Sequence, residues 1–114
     1  ISLDLDAPLT TFPFLSPILH ICRTGLSCAD AGADEQGWTR LAAIEQPAAQ
    51  WTPPKPPRIS GPHRYVFIVW VQPEGMMGWG EDVGLGKRVR WDLEGFVKKL
   101  GLGEIVGGAW FVCG

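Results

Sequence analysis

The feature that most limits this chain is its longest run of β-branched and aromatic residues, Tyr65-Val66-Phe67-Ile68-Val69-Trp70-Val71, within Gly61–Gln72, a stretch with no Gly or Pro after Pro62. Such a run reads as a strand, because branched and ring side chains pack well on a pleated surface. Alternation puts His63, Tyr65, Phe67, Val69 and Val71 on one face and Arg64, Val66, Ile68, Trp70 and Gln72 on the other. Both faces are apolar beyond Tyr65, which predicts a buried strand inside a two-layer fold. The polar atoms of His63 and Tyr65 then stand side by side where the strand enters the core.

The rest of the chain must build around that strand. Its 114 residues allow at most one domain, large enough for a core but short for a two-sheet sandwich with helices. The expectation is a single partial domain over 1–114. With 15 Gly and 10 Pro, turns and short elements dominate and a helical bundle is excluded. Apolar residues at 46% against 19% charged point to a globular chain rather than a disordered one. A net charge of −2 offers no general attraction to nucleic acid, which needs clustered Lys and Arg. No apolar run approaches the roughly 18 residues of a membrane-crossing helix. The chain opens at Ile1 in a strand-like stretch without the layout of a signal peptide, which reads as a trimmed domain whose address is lost. Cys22, Cys28 and Cys113 are odd in number and lack metal-ligand spacing, so free thiols in a reducing, cytoplasmic setting are expected, a Cys22–Cys28 disulfide being the alternative.

In chain order, Ile1-Ser2-Leu3-Asp4-Leu5-Asp6 alternates strictly and is stopped by Ala7-Pro8, so Asp4 and Asp6 share one face at a strand end. They either accept backbone N–H groups in an Asx-type turn or flank a pocket. His20 lies among apolar neighbours in Ser16–Cys22, where an isolated histidine is more often a satisfied core residue than a functional one. Arg23–Gly37, small, polar and marked by Asp30, Asp34 and Glu35, reads as a surface loop. Trp38–Ile44 is either a short strand or a helical turn. Residues 46–60 form a proline-rich connector, excluded from the sheet by missing N–H donors. The segment 73–80 ends the central strand, and its Met76, Met77 and Trp79 are candidates to cover a cavity. Gly84-Leu85-Gly86-Lys87 lacks the spacing of a phosphate-binding P-loop. Residues 91–101 are the best helix candidate, with Asp92 as N-cap, a stripe of Leu93, Phe96, Val97 and Leu100, and Lys98, Lys99 and Gly101 at the far end. Ile105–Val112 closes the sheet.

Three motifs in order resemble the phosphatidylethanolamine-binding proteins, in their fungal form. Gly61-Pro62-His63-Arg64-Tyr65-Val66-Phe67 looks like the family's signature strand, Asp4-Leu5-Asp6-Ala7-Pro8 like its Asp-Pro-Asp-Ala-Pro motif, and Ser16–Cys22 like the intervening strand that carries a pocket histidine. The run Trp51-Thr52-Pro53-Pro54-Lys55-Pro56-Pro57 is similar to a fungal segment that frames the pocket mouth. The chain departs from the pattern at Leu5, Leu9-Thr10, Leu19 and Ile105, where Pro, Ser-Arg, a second His and Pro are usual. The resemblance implies a mainly β fold, a β-sandwich with a short helix near the C-terminus, incomplete at both ends. It also implies a ligand pocket formed by Asp4, Asp6, His20, His63 and Tyr65, with Pro8, Trp51, Pro62 and Gly108 on its rim.

Two imidazoles and a phenol can bind a phosphate or carboxylate while Asp4 fixes one imidazole's tautomer. Trp51, Met76, Met77 and Trp79 would offer an apolar rim for a hydrophobic tail. Ser16, Ser27 and Ser60 lie in no nucleophile-elbow pattern, and a His–Asp pair without a nucleophile is half a mechanism, so no catalytic residue, metal or cofactor is expected. The leading reading is a non-enzymatic module for a small anionic ligand or phospholipid headgroup. The alternatives are a protein-interaction inhibitor of a serine carboxypeptidase or kinase, and an accessory role in fungal natural-product biosynthesis.

Overall fold

The structure is a computed structural model that describes residues 1–76 and 78–114, with Asp30 described by its backbone alone. Six strands and two short helices follow in the order β1 Ser2–Asp4, β2 Ile18–Ile21, β3 Leu26–Ala33, β4 Thr39–Ala43, β5 His63–Trp70, α1 Leu85–Arg88, α2 Leu93–Leu100 and β6 Ile105–Cys113. Among the described residues they make a four-stranded antiparallel sheet in the order β2-β1-β5-β6 and a separate β3–β4 pair. The fold is mainly β, as the sequence predicts, and no helix among the described residues is long and apolar enough to cross a membrane.

β5 lies between β1 and β6, so its backbone is paired on both sides. Its side chains are less enclosed than predicted. His63 and Tyr65 are buried, but Val69 is 44% exposed and Val71, beyond the strand, 69%. The covering elements lie at one end of the strand and on one face, which leaves the other face open toward Val71. Leu3 of β1, Leu19 and Cys22 around β2, Ala49, Val83, Trp91 and Phe96 form the core. Val66, Ile68 and Trp70 pack against it from β5.

α2 is the helix its sequence predicts. The Asp92 carboxylate accepts from Gly95 N–H, and Gly101 ends the helix in the left-handed conformation at φ 63° while its N–H donates to Lys98 O. Leu93, Phe96, Val97 and Leu100 face the core, with Phe96 against Trp70, Trp79 and Trp91. Burying Phe96 contributes on the order of 2 kcal/mol.

One expectation is corrected here. Arg23–Gly37 is not a loop throughout, because Leu26–Ala33 pairs with Thr39–Ala43, an outcome that also resolves Trp38–Ile44 as strand. The β3 residues are mostly small, with three Ala and a Gly that carry little strand propensity, and their strand state comes from this partner. Residues 46–60 lie outside the named strands and are tied by backbone hydrogen bonds to β2 and the residue after it. Cys22 and Ala49 exchange backbone hydrogen bonds, and Thr52 N–H donates to His20 O at 2.9 Å, so the connector seals the outer edge of β2.

Candidate functional site

The site is assembled by register. Asp4 pairs with Tyr65 and Ser2 with Phe67 across β1–β5, while Tyr65 pairs with Phe111 and His63 with Cys113 across β5–β6. Directly opposed residues of antiparallel strands share a face. Asp4, His63, Tyr65, Phe67, Phe111 and Cys113 therefore stand together on the side away from α2.

His20 joins them through a bulge. Ser2 pairs with Ile21 and Leu3 with Leu19, so His20 is the extra residue on β2. A bulge re-aims the side chain it carries. The His20 ring meets Tyr65 edge-on, with centroids 5.2 Å apart and planes at 88°. Its Nδ1 lies 2.6 Å from Thr52 O, and a carbonyl only accepts, so Nδ1 carries the proton of this bond.

Asp4 uses both carboxylate oxygens. Oδ1 accepts from Asp6 N–H at 2.9 Å, the predicted Asx turn, and Oδ2 lies 2.8 Å from His63 Nδ1. This holds the His63 proton on Nδ1. The opposite nitrogen, Nε2, is buried and has no hydrogen-bond partner among the described residues, in a side chain only 1% exposed. Such an atom is costly to leave unpaired.

Asp6 turns the other way. Its Oδ2 accepts from Arg64 N–H and Nε and its Oδ1 from Arg64 Nη2, at 2.7 to 2.9 Å. The Arg64 hydrogen bonds hold the Asp6 carboxyl below its ordinary value of 3.8. Asp6 thus anchors the turn below the site rather than entering it.

Burial, then the Asp4 charge, raises the Tyr65 phenol well above its ordinary value of 10.0, with a smaller contribution from Cys113. A phenol held neutral can donate a hydrogen bond at any physiological pH. Its ring stacks on Phe111, centroids 5.2 Å apart, and Phe67 stacks on Trp51 at 6.0 Å. These rings extend the polar cup into an apolar shelf.

The rim residues are distributed unevenly. Trp51 lies beside His20 and Phe67. Pro8 follows the Asp6 turn, and Pro62 precedes His63 in the chain. Gly108 stands apart, opposite Ile68 and three pairs along β6 from Phe111; a Cβ there would lie 2.9 Å from Phe67 O. Of the residues expected to cover the cup, neither Met76 nor Trp79 lies at it. Trp79 packs with Trp91 and Phe96 on the core side, Met76 lines a groove with Trp70 and Leu100, and Met77 lies outside the described residues. The aromatic demand of the core around α2 claims Trp79.

Sequence reasoning missed Arg88 and Cys113. Arg88 is buried, and its Nη1 donates to Gln50 O at 2.7 Å and Thr52 Oγ1 at 3.0 Å, on either side of Trp51. It fixes the Trp51 segment from beneath. Its Nε also donates to Val83 O five residues back, but the Gln50 and Thr52 acceptors that tie it to the site lie 38 and 36 residues away, so no local motif marks the role. Among the described residues no group of three His, Cys, Asp or Glu is placed to hold a metal ion.

Residues 1–110 match the family described as phosphatidylethanolamine-binding protein. The chain is also 34% identical over 80 residues to the carboxypeptidase Y inhibitor of Saccharomyces cerevisiae, a match covering 64% of this chain and 36% of that protein. The chain therefore spans little more than a third of the curated relative it matches. No solved structure matches it.

Proposed function

The chain belongs to the phosphatidylethanolamine-binding protein family, and from that premise we propose that it is a non-enzymatic binding module whose cup of Asp4, His20, His63 and Tyr65 accepts a phosphate- or carboxylate-bearing small molecule. The observation that carries this reading is His63 Nε2, buried and without a hydrogen-bond partner among the described residues while Nδ1 is committed to Asp4. An anion oxygen there would meet the nitrogen, with the Tyr65 phenol as a second donor. The Trp51, Phe67 and Phe111 shelf would take an apolar tail beside the charged end.

Titration with inorganic phosphate and with O-phosphorylethanolamine, followed by amide NMR, tests the reading. His63→Ala with Asp4→Asn is expected to weaken binding by on the order of tenfold or more, the worth of one charge-assisted hydrogen bond. Unchanged affinity in a double variant that keeps the parent NMR dispersion removes the site.

A second reading has its own support. The curated relative is named an inhibitor of carboxypeptidase Y, and the loop beside Pro8 presents Phe12 and Phe14, 64% and 52% exposed with ring centroids 5.1 Å apart. Paired exposed rings are what a protein partner grips. Inhibition of a serine carboxypeptidase that falls with Phe12→Ser and is indifferent to His63→Ala would favour this reading over the small anion.

A further inference from the structure

The run Pro53-Pro54-Lys55-Pro56-Pro57-Arg58, which follows Trp51, has no part in the binding reading. Each proline fixes its own φ at about −65°, and Thr52, Pro53, Lys55 and Pro56 each precede a proline, which steers them away from the helical region. Residues 51–57 accordingly carry neither helix, strand nor turn, and the run is an extended strap of the polyproline kind, three residues to a turn. The fold fastens it at both ends. Before it, Thr52 N–H donates to His20 O, and Arg88 Nη1 donates to Gln50 O and Thr52 Oγ1. After it, Ser60 N–H donates to Pro57 O at 2.9 Å and Thr10 N–H donates to Ser60 O at 3.3 Å. Between these anchors the backbone of residues 53–56 makes no hydrogen bond among the described residues, so its carbonyls are open to an outside donor.

A period of three aligns Pro53 with Pro56 along one edge and Lys55 with Arg58 along the next. Pro53, Lys55 and Arg58 are exposed and Pro56 is half-buried, while Pro54, on the third edge, is half-buried as well. Neither Lys55 nor Arg58 enters an ion pair among the described residues, and no Asp or Glu lies between Glu45 and Glu74 in the chain. The strap thus offers prolines and unpaired cations together. We propose that it is a docking site for a partner protein with an aromatic-lined groove bordered by carboxylates, of the SH3 type. Rings of the groove take Pro53 and Pro56, groove donors reach the open carbonyls, and Arg58 enters the acidic border. Pro-x-x-Pro with a cation two residues on also sets the direction of docking, because a reversed chain would put Arg58 at the far end of the groove. A strap fastened at both ends has already lost the freedom that a loose peptide gives up on binding. This surface is separate from the anion cup and does not depend on it.

The experiment takes an isolated, isotope-labelled SH3 domain that reads Pro-x-x-Pro-x-Arg peptides and titrates it with the full chain or with the free peptide of residues 50–60, followed by amide NMR. The folded chain is expected to shift the same groove amides as the peptide, with an affinity equal to the peptide's or higher, and at worst about tenfold lower. Arg58→Ala is expected to weaken binding by about tenfold, the worth of one charge-assisted contact, and Pro53→Ala with Pro56→Ala to abolish the shifts. Arg40→Ala removes an exposed cation on β4 and is expected to leave binding unchanged. All three positions are at the surface or half-exposed, and the dispersion of each variant's own amide spectrum shows that it is folded. A peptide that binds while the chain binds more than tenfold weaker, or not at all, overturns the proposal by showing that the fold closes the strap off. Failure of both to bind overturns the recognition itself. Chain binding that survives Arg58→Ala and the double proline variant puts the contact elsewhere and overturns the proposal too.

Discussion

Asp4 carries a structural and a site contact at once. One oxygen closes the Asx turn at Asp6 N–H, and the other holds His63, so the turn that ends β1 also fixes the imidazole. Tyr65 is the neighbour whose titration can be followed most cleanly, because it is the only tyrosine in the chain. Its phenol is raised from 10.0 by burial and then by Asp4. The unfolded chain therefore loses this proton at a lower pH than the folded one. The stabilisation is complete below the ordinary phenol range and is lost as pH rises through and above it. Absorbance at the phenolate band is expected to stay flat through pH 10 and to rise together with loss of the near-ultraviolet dichroism. Phenolate forming at its ordinary pH in the still-folded protein would show the ring to be solvated. Alternation along one strand was enough to group His63 with Tyr65, and the turn signal before Pro8 was enough to mark Asp4. The placement of Cys113 and Phe111 was not legible, because it depends on a cross-strand register about 50 residues distant in sequence.

At the scale of elements, α2 was legible because cap, stripe and stop all lie within ten consecutive residues, whereas β3 was hidden because its small residues, three Ala and a Gly among them, become strand only through a partner. His20 sits between these cases: its strand could be read, but the bulge that turns its ring onto Tyr65 is a property of pairing with β1. The cap of α2 also makes a quantitative case. Asp92→Ala is expected to cost about 1 kcal/mol through the lost hydrogen bond to Gly95 N–H. Gly95→Ala on an ordinary helix would gain nearly as much in propensity, but here the added methyl collides with the Asp92 carboxylate. In the parent chain the two effects oppose each other and leave a change near zero. In the Asp92→Ala background the collision is gone, and Gly95→Ala is expected to stabilise by about 1 kcal/mol. Urea unfolding of the four chains measures this coupling, and additive single changes would show that the carboxylate is not held where the cap requires.

On the scale of the whole molecule, the two margins of the main sheet are treated differently. The β2 margin is sealed by Ala49 and Thr52, whereas β6 pairs only with β5 among the described residues and is exposed over most of its length. Ile105–Cys113 has no charge and no proline, and it presents Val106, Trp110 and Val112 at 61%, 72% and 53% exposure. A long apolar margin with an unpaired backbone row is a template for another strand. The site shares this strand, since Phe111 and Cys113 belong to it. The chain is expected to self-associate as its concentration rises, seen as an increasing sedimentation coefficient. Trp110→Glu, on the face opposite Tyr65, is expected to weaken that association on the order of tenfold by placing a charge on the margin. Because Trp110 lies on the far side of the sheet from His63, phosphate binding should survive the change. A variant that associates as strongly as the parent would show that contacts elsewhere, such as Phe12 and Phe14, hold the copies together.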